Sequence, residues 1–240
     1  METARKPPAS ILIACRNEED NIGPCLEAVL QAMPDAEILV VAGGNDRTAE
    51  RAETCASKHP SIHVVRHVPD RGKGHAIRDG LALARADAIA QFDADRQFDA
   101  ADLPALLAPI QSGRCDLCIG SRFLGSSESS APPTFCRDFG NRLLAIWVSL
   151  LTGRKTTDVT TGMKAWSRSA SAKIDFRDDA YSYEAEIVVR AARLGLRVQE
   201  IPVRYAERSS GISMHRNRLQ LAKAGLTIAI KCLLAQMRRT

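Results

Sequence analysis

The sequence predicts an α/β fold in which helices cover both faces of a mostly parallel sheet. From residue 10 to about residue 120, short apolar runs alternate with segments of helical length, a pattern typical of βαβ units. The runs are continuously apolar, as in strands that are buried on both faces. Several of them lead into polar turns, which should meet beyond the carboxyl ends of the strands, where such sheets bind ligands.

Five strands and four helices are predicted in this first half of the chain. The strands are 10–15, 37–41, 62–65, 88–92 and 117–120. The helices are 22–33, about 46–58, 75–85 and 101–110, and the first of them has apolar residues at spacings of three and four. Asn45 or Asp46 can cap the second helix. The polar turns at 15–18, 43–46 and 93–97 therefore converge on one edge of the sheet.

The second half of the chain has a less regular pattern. Residues 125–133 are rich in Ser, Gly and Pro, as expected of a lid over an active site. Helices are predicted for 137–151 and 183–194, and strands for 163–166 and 197–203. We expect residues 1–9 to be a loose leader, residues 10–214 to form the main domain, and residues 215–240 to form a C-terminal amphipathic helix.

The C-terminal helix has a thin polar stripe on an otherwise apolar surface. The stripe consists of Gln220, Lys223, Thr227 and Lys231, whose spacings of three and four place them on one helix face. The two lysines interrupt the segment as a bilayer span. A basic-ended amphipathic helix can lie on an anionic membrane surface, or it can pack on the domain or at a homo-oligomer interface. The sequence leaves both alternatives open.

Composition narrows the class of protein. Hydrophobic residues make up 45% and charged residues 25% of the chain, which is ordinary for a soluble globular protein. The net charge of +5 fits an acidic partner such as a nucleotide or a lipid phosphate. With 5% aromatic residues and no basic run interleaved with them, a nucleic-acid platform is not supported. Seven cysteines without a signal-peptide pattern indicate a reduced, cytoplasmic protein, with any membrane contact peripheral.

The stretch from Gln91 to Gln97 gives the first indication of chemistry. Asp93 and Asp95 are separated by one residue, so both carboxylates lie on the same side of an extended chain. Close like charges repel unless a cation lies between them, and Mg²⁺ is typically held by one or two carboxylates plus substrate phosphates. Gln97 can add a neutral oxygen. The alternative is a solvated acidic turn that caps the next helix.

Nine short motifs follow one another along the chain. They are Asn17-Glu18-Glu19, Val40-Val41, Asp46-x-Thr48, Gly72-Lys73-Gly74, Asp93-x-Asp95-x-Gln97, Gly120-Ser121-Arg122, Asp158-x-x-Thr161-Gly162, Glu186 and Arg208-x-x-Gly211-x-Ser213. Their order resembles that of family 2 glycosyltransferases of the GT-A fold, in the branch of dolichyl-phosphate mannose synthase and polyprenyl-phosphate sugar synthases. The resemblance implies inverting transfer of a hexose from a GDP- or UDP-sugar, with Mg²⁺ or Mn²⁺, and a polyprenyl or dolichyl phosphate as the expected acceptor.

The resemblance also assigns roles to individual residues. Those on the side of the nucleotide sugar would be Ala14, Arg16, Glu18, Val41, Ala42, Gly43, Lys73 and Asp93. Asp95 and Gln97 would hold the metal ion. The residues matched to acceptor or phosphate contacts are Arg122, Arg137, Arg208 and Ser213. Guanidinium groups suit phosphate because they donate two parallel hydrogen bonds, although each arginine could instead form a surface ion pair.

Two departures from the family pattern bear on the site. Where many relatives carry Asp-Asp-Gly-Ser, this chain has Ala42-Gly43-Gly44-Asn45. The missing carboxylate would accept a hydrogen bond from the donor base, so uridine and guanosine both remain open. Met214 stands where a lysine often follows, and His215 and Arg216 can compensate.

The acceptor decides whether a general base is required. A lipid phosphate monoester is already anionic at neutral pH, because its second pKa is near ~6. A sugar hydroxyl in polysaccharide or cell-envelope synthesis would need a positioned carboxylate, for which Asp158 and Glu186 are the candidates; either could instead orient a loop or an arginine. Two other classes of protein are alternatives to a glycosyltransferase. One is a nucleotidyltransferase, although the acidic turn after the first strand argues against it. The other is a homologue that binds nucleotide sugar without turnover.

Overall fold

The computed structural model describes residues 6–124, 135–206 and 218–238, with side chains for all of these except residues 135–137, 218, 219 and 221. The lid predicted at 125–133 lies outside the described residues. So do Arg208 and Ser213.

A seven-stranded sheet forms the centre of the protein. Its strands are β1 (Ser10–Arg16), β2 (Glu37–Gly43), β3 (Ile62–Arg66), β4 (Ala88–Gln91), β5 (Leu117–Ser121), β6 (Lys164–Ser167) and β7 (Val198–Pro202). They are arranged in the order β3-β2-β1-β4-β6-β5-β7. All pairings are parallel except those of β6, which runs antiparallel to β4 and β5. The predicted mostly parallel α/β sheet is confirmed.

Helices cover both faces of this sheet. They are α1 (Ile22–Ala32), α2 (Thr48–Ala56), α3 (Lys73–Leu83), α4 (Leu103–Gln111), α5 (Phe135–Thr152), α6 (Arg168–Lys173), α7 (Tyr183–Arg193) and α8 (Arg218–Met237). A short 3₁₀ turn, Ala100–Asp102, precedes α4. Side chains alternate across a strand, so Ile11 and Ile13 join a core with α1 and α4, whereas Leu12 joins one with α3 and α7.

The antiparallel strand β6 is inserted between β4 and β5. Ala90 of β4 pairs with Ala165 of β6, and Ala165 pairs in turn with Cys118 of β5. Because β6 runs in the opposite direction, its amino end lies at the carboxyl ends of its neighbours. The polar turn 156–162 is thereby brought to the edge of the sheet where the β4 turn lies.

Both ends of the described chain contact the body of the protein. Lys6 Nζ lies 2.6 Å from Asp87 Oδ1, and Ala9 is fully buried. The predicted C-terminal helix exists as α8, where Cys232 and Ala235 are buried and Trp147 Nε1 donates to the Ala229 carbonyl at 3.3 Å. In the described residues no helix combines the length and the apolar character that crossing a membrane requires.

The start of α3 packs directly on the main chain that precedes α7. The Gly74 amide donates to the Asp179 carbonyl at 2.8 Å. A Cβ on Gly74 would lie 2.1 Å from the Asp178 carbonyl oxygen. Only a residue without a side chain permits this approach, and the approach sets where the preceding residue, Lys73, enters the protein.

Gly74→Ala should therefore destabilise the fold by about 1–3 kcal/mol, because the two segments must separate to admit the methyl group. Urea unfolding monitored by circular dichroism measures the change. Gly23→Ala in α1 is the matched control, since nothing lies within 4 Å of its Cβ position and alanine is the better helix former by up to about 1 kcal/mol. Equal stabilisation by both substitutions would contradict the packing argument.

Candidate active site

A cavity of about 690 Å³ opens at the carboxyl edge of the sheet, where β1 to β4 end. Its lining includes seven of the residues predicted for the donor and the metal, namely Ala14, Arg16, Glu18, Gly43, Lys73, Asp93 and Asp95. Val41 and Ala42 are buried in β2 and do not line it. The three polar turns expected to converge thus do meet at one cavity.

Asp93 is held by the ammonium group of Lys73, which is partly buried at the cavity wall. Lys73 Nζ lies 2.8 Å from Asp93 Oδ1 and 3.0 Å from Glu184 Oε1. Burial alone would lower the pKa of Lys73, but the two carboxylates hold this pKa well above its usual value. Burial raises the pKa of Glu184, although Lys73 opposes that shift. Lys73 therefore stays charged and joins α3, the β4 turn and α7 in one contact.

Lys164 is a second lysine near Glu184, and it is fully buried. It is the first residue of β6 and donates to the Thr161 carbonyl. Burial lowers its pKa to about 8, against the opposing effect of Glu184 and Asp158. Neither Lys164 nor Glu184 was identified from the sequence. The available signal was a lysine inside an otherwise apolar predicted strand.

The turn before β6 fits closely against Asp93. A Cβ on Gly162 would lie 1.9 Å from Asp93 Oδ2, so the carboxylate occupies the space that any side chain at position 162 would take. This contact gives a physical reason for glycine in the Asp158-x-x-Thr161-Gly162 motif.

Asp95 has the position and chemistry of a ligand for a hard cation. It lines the cavity beside Asp93, and its Oδ1 accepts the Gln97 amide at 3.2 Å. Carboxylate oxygens suit Mg²⁺ and Mn²⁺. Gln97 does not line the cavity, and its Nε2 donates to the Ala206 carbonyl at 3.4 Å. Asp95 is thus suited to bind the expected metal ion. Gln97 instead orients Asp95, because its main-chain amide donates to the Asp95 carboxylate.

Arg122 and Asp158 form a two-pronged ion pair away from the cavity lining. Arg122 Nε and Nη2 lie 2.7 and 2.8 Å from the two oxygens of Asp158, which is fully buried. Nη2 also donates to Thr160 Oγ1 at 3.1 Å. Asp158 raises the pKa of Arg122, although burial opposes this. Asp158 therefore orients an arginine in this structure.

Glu186 lies on the other side of α7 from Glu184. It accepts the main-chain amides of Arg177 and Asp178 at 3.1 and 3.0 Å, and Arg190 Nε at 2.9 Å. The structure does not bring Glu186 to the cavity. Position 137, the third predicted phosphate-contacting arginine, is in α5, and its side chain is not among those described.

A histidine cluster at the cavity rim was not identified from the sequence. His75 Nδ1 lies 3.2 Å from both His67 Nε2 and Asp79 Oδ2, close enough for one ion, and such nitrogen ligands suit Zn²⁺ better than Mg²⁺. However, Arg71 Nη1 lies 3.0 Å from His75 Nε2. Arginine can only donate, so Arg71 uses the acceptor position of His75 Nε2, and His75 Nδ1 already has His67 and Asp79 as neighbours.

The stability of the protein should rise with pH as buried Lys164 loses its proton. A shift from 10.5 to about 8 corresponds to about 3 kcal/mol. Between these values the unfolded chain binds more protons than the folded protein, so the free energy of unfolding increases with pH. Relative to Lys164→Met, we expect the wild type to gain about 2 kcal/mol between pH 8 and pH 10, measured by urea unfolding.

Lys58→Met, at an exposed position on the chain after α2, is the control and should show no such change. A difference between wild type and Lys164→Met that is constant with pH would mean that the buried amine keeps its proton throughout.

Comparison with known proteins agrees with this geometry. Residues 10–174 match the model of glycosyl transferase family 2. The low-salt glycan biosynthesis hexosyltransferase Agl6 of Haloferax volcanii is 30% identical over 203 residues, which cover 84% of this chain and 48% of Agl6. This chain thus spans about half of Agl6. The undecaprenyl-phosphate mannosyltransferase of Micrococcus luteus is 30% identical over 209 residues, which cover 84% of this chain and 85% of that enzyme.

A solved structure has the same architecture. It is glucosyl-3-phosphoglycerate synthase from Mycobacterium tuberculosis in complex with Mn²⁺, UDP-glucose and glycerol 3-phosphate, with a TM-score of 0.71 and 20% identity over 96% of this chain and 80% of that one. At this identity the likeness concerns the fold, and it agrees with the predicted GT-A architecture. The chain belongs to glycosyl transferase family 2 and is a glycosyltransferase.

Proposed function

We propose that the protein transfers a hexose from a nucleotide-diphosphate sugar to a polyprenyl phosphate, with inversion at the sugar carbon and with Mg²⁺ or Mn²⁺ bound at Asp95. The observation that carries this proposal is the cavity at the carboxyl ends of β1 to β4, lined by Lys73, Asp93 and Asp95. The M. luteus relative, named for an undecaprenyl phosphate, and the structural neighbour with Mn²⁺ and UDP-glucose support it.

The charges of the lining favour a requirement for a metal ion. The two strong cations in it are each paired with an acid, Arg16 with Asp70 at 3.0 Å and Lys73 with Asp93 at 2.8 Å. The lining also holds Glu18 and Asp95, so its four carboxylates outnumber its two strong cations, and a nucleotide diphosphate brings further negative charge. Asp95 adds to that negative charge, so a divalent cation between Asp95 and the diphosphate removes the conflict.

In the proposed mechanism the protein mainly positions the donor. Asp93, fixed by Lys73, would accept hydrogen bonds from sugar or ribose hydroxyls, while the Gln97 amide holds Asp95. When bound, the metal ion would act as a Lewis acid on the diphosphate and stabilise the charge of the leaving group. An acceptor oxygen that attacks from the face opposite the diphosphate inverts the sugar carbon.

An anionic acceptor fits the placement of the carboxylates. Asp158 forms a buried ion pair with two hydrogen bonds to Arg122. Glu186 accepts hydrogen bonds from Arg190 and from two main-chain amides. Neither lines the cavity, so neither is placed to deprotonate a sugar hydroxyl beside the donor. A phosphate monoester needs no such base, since it is largely ionised at neutral pH.

A surface for the lipid part of such an acceptor is provided by α5 and α8, which pack side by side. The exposed apolar residues of this two-helix face are Phe139, Leu143, Ile146 and Leu150 on α5, with Leu226, Ile230, Leu234 and Met237 on α8. In each helix they recur at spacings of three or four, along one side. An apolar face of this kind, on two adjacent helices, suits the boundary of a membrane.

Asp95→Asn should lower transfer by on the order of 10³-fold, because it weakens the ion that stabilises the leaving group by several kcal/mol. Transfer of labelled hexose from UDP- and GDP-sugars with Mn²⁺ measures this, with undecaprenyl phosphate or undecaprenol as acceptor. Product should form only with the phosphate. Asp99→Asn, an exposed neighbour that retains a helix-capping side chain, should remain active. Product with undecaprenol would contradict the phosphate assignment.

The two-helix face should bind anionic vesicles. Leu226→Gln combined with Ile230→Gln should reduce co-sedimentation with phosphatidylglycerol vesicles at least tenfold, because each change removes exposed apolar area from the contact. Leu83→Gln on α3, also exposed, is the control and should bind as wild type does. If the wild type does not sediment with the vesicles, this face has another occupant.

A further inference from the structure

A carboxylate from another loop fills the space at the end of β2. A Cβ built on Gly43 would lie 3.0 Å from Asp70 Oδ2 and 3.1 Å from Asp70 Cγ. Asp70 follows β3, whereas Gly43 is the last residue of β2. The carboxyl group that the sequence lacks at positions 42 and 43 is therefore supplied to almost the same place from a different element.

Asp70 is held rigidly and still faces the cavity. Arg16 Nε lies 3.0 Å from Oδ2, and the Gly72 amide donates to Oδ1 at 2.9 Å. His67 Nδ1 lies 3.7 Å from Oδ1, beyond hydrogen-bonding distance. A carboxylate can accept about four hydrogen bonds, so these contacts leave Asp70 able to accept another from a ligand.

The position of Asp70 in the cavity is that of the nucleoside rather than the diphosphate. The sheet order is β3-β2-β1-β4, and neighbouring strands are about 4.8 Å apart. The Asp70 carboxylate lies beside Gly43 and Arg16, at the ends of β2 and β1, whereas Asp95 follows β4 on the other side of β1; both residues line the same cavity. A diphosphate at the Asp95 end directs the remainder of the nucleotide toward Arg16, Gly43 and Asp70.

We propose that Asp70 reads the base of the donor nucleotide, in place of a carboxylate at the end of β2. This inference rests on the proposed function. An ionised carboxylate only accepts hydrogen bonds, so it favours a base whose ring nitrogen carries a hydrogen. Uracil (N3–H) and guanine (N1–H) present such a donor, whereas cytosine and adenine present an acceptor at the corresponding ring nitrogen. Cytosine and adenine have an exocyclic amino group that can donate, but the acceptor nitrogen beside it repels the carboxylate, so Asp70 favours uridine or guanosine donors over cytidine and adenosine donors.

The test is calorimetric binding of UDP, GDP, CDP, ADP and pyrophosphate, each with Mn²⁺, to the full chain. The wild type should bind UDP or GDP about ten- to a hundredfold more tightly than CDP and ADP, the range expected for a hydrogen bond to a charged group. Asp70→Ala should lose that preference but still bind pyrophosphate at least as tightly as the wild type, because the change removes negative charge beside Arg16. N3-methyl-UDP and N1-methyl-GDP lack the ring N–H, so they should bind the wild type as weakly as CDP does. This comparison requires no protein variant.

A relocation experiment supplies the matched control. Gly43→Asp alone should bind poorly, because its carboxylate would collide with Asp70. The double variant Gly43→Asp/Asp70→Ala should recover the preference, since a carboxylate returns to the same space and the backbone of Gly43 is not left-handed. Failure of pyrophosphate to bind the wild type would overturn the proposed function itself. Normal pyrophosphate binding with an unchanged preference in Asp70→Ala would overturn only the assignment of Asp70.

Discussion

The ion pair between Lys73 and Asp93 is the interaction on which the rest of the site depends. It joins the start of α3 to the turn after β4, and the contact of the same amine with Glu184 adds α7. Three cations and three acids influence one another in this region, namely Lys73, Lys164, Arg122, Asp93, Glu184 and Asp158. Removal of one partner from a buried ion pair typically costs 3–5 kcal/mol. The donor side is therefore rigid before any ligand binds.

Glycines make this arrangement possible through close packing rather than through phosphate binding. At Gly72, whose φ is +106°, a Cβ would lie 2.4 Å from the Asp179 carbonyl oxygen. A Cβ on Gly74 would lie 2.1 Å from the Asp178 carbonyl oxygen, and Gly162 leaves room for the Asp93 carboxylate. The Gly72-Lys73-Gly74 motif thus resembles a phosphate-binding loop only in composition. Its role in the fold is to let a lysine enter the protein between two segments of main chain.

The fold was largely predictable from the sequence, and the site only in part. Continuous apolar runs located β1 to β5, and parallel strands that end in polar turns placed Asp93 and Asp95 at the correct edge. The direction of β6 was not predictable, since a four-residue strand has no local signal for its partner. The sequence also did not reveal that Glu184, rather than the predicted Glu186, contacts the lysine of the cavity. Residues two apart on a helix face different sides, and the partner that distinguishes them, Lys73, is 111 residues away.

The same charge arrangement indicates how donor and metal ion would enter together. Asp93 is paired with Lys73, so we assign the proposed ion to Asp95 beside it in the cavity. One carboxylate binds Mg²⁺ weakly, and substrate phosphates normally complete the coordination. The affinity for the ion should then be low without donor and should rise when a diphosphate is present. Because such coupling is reciprocal, the ion would raise the affinity for the diphosphate by the same factor, whichever base Asp70 selects.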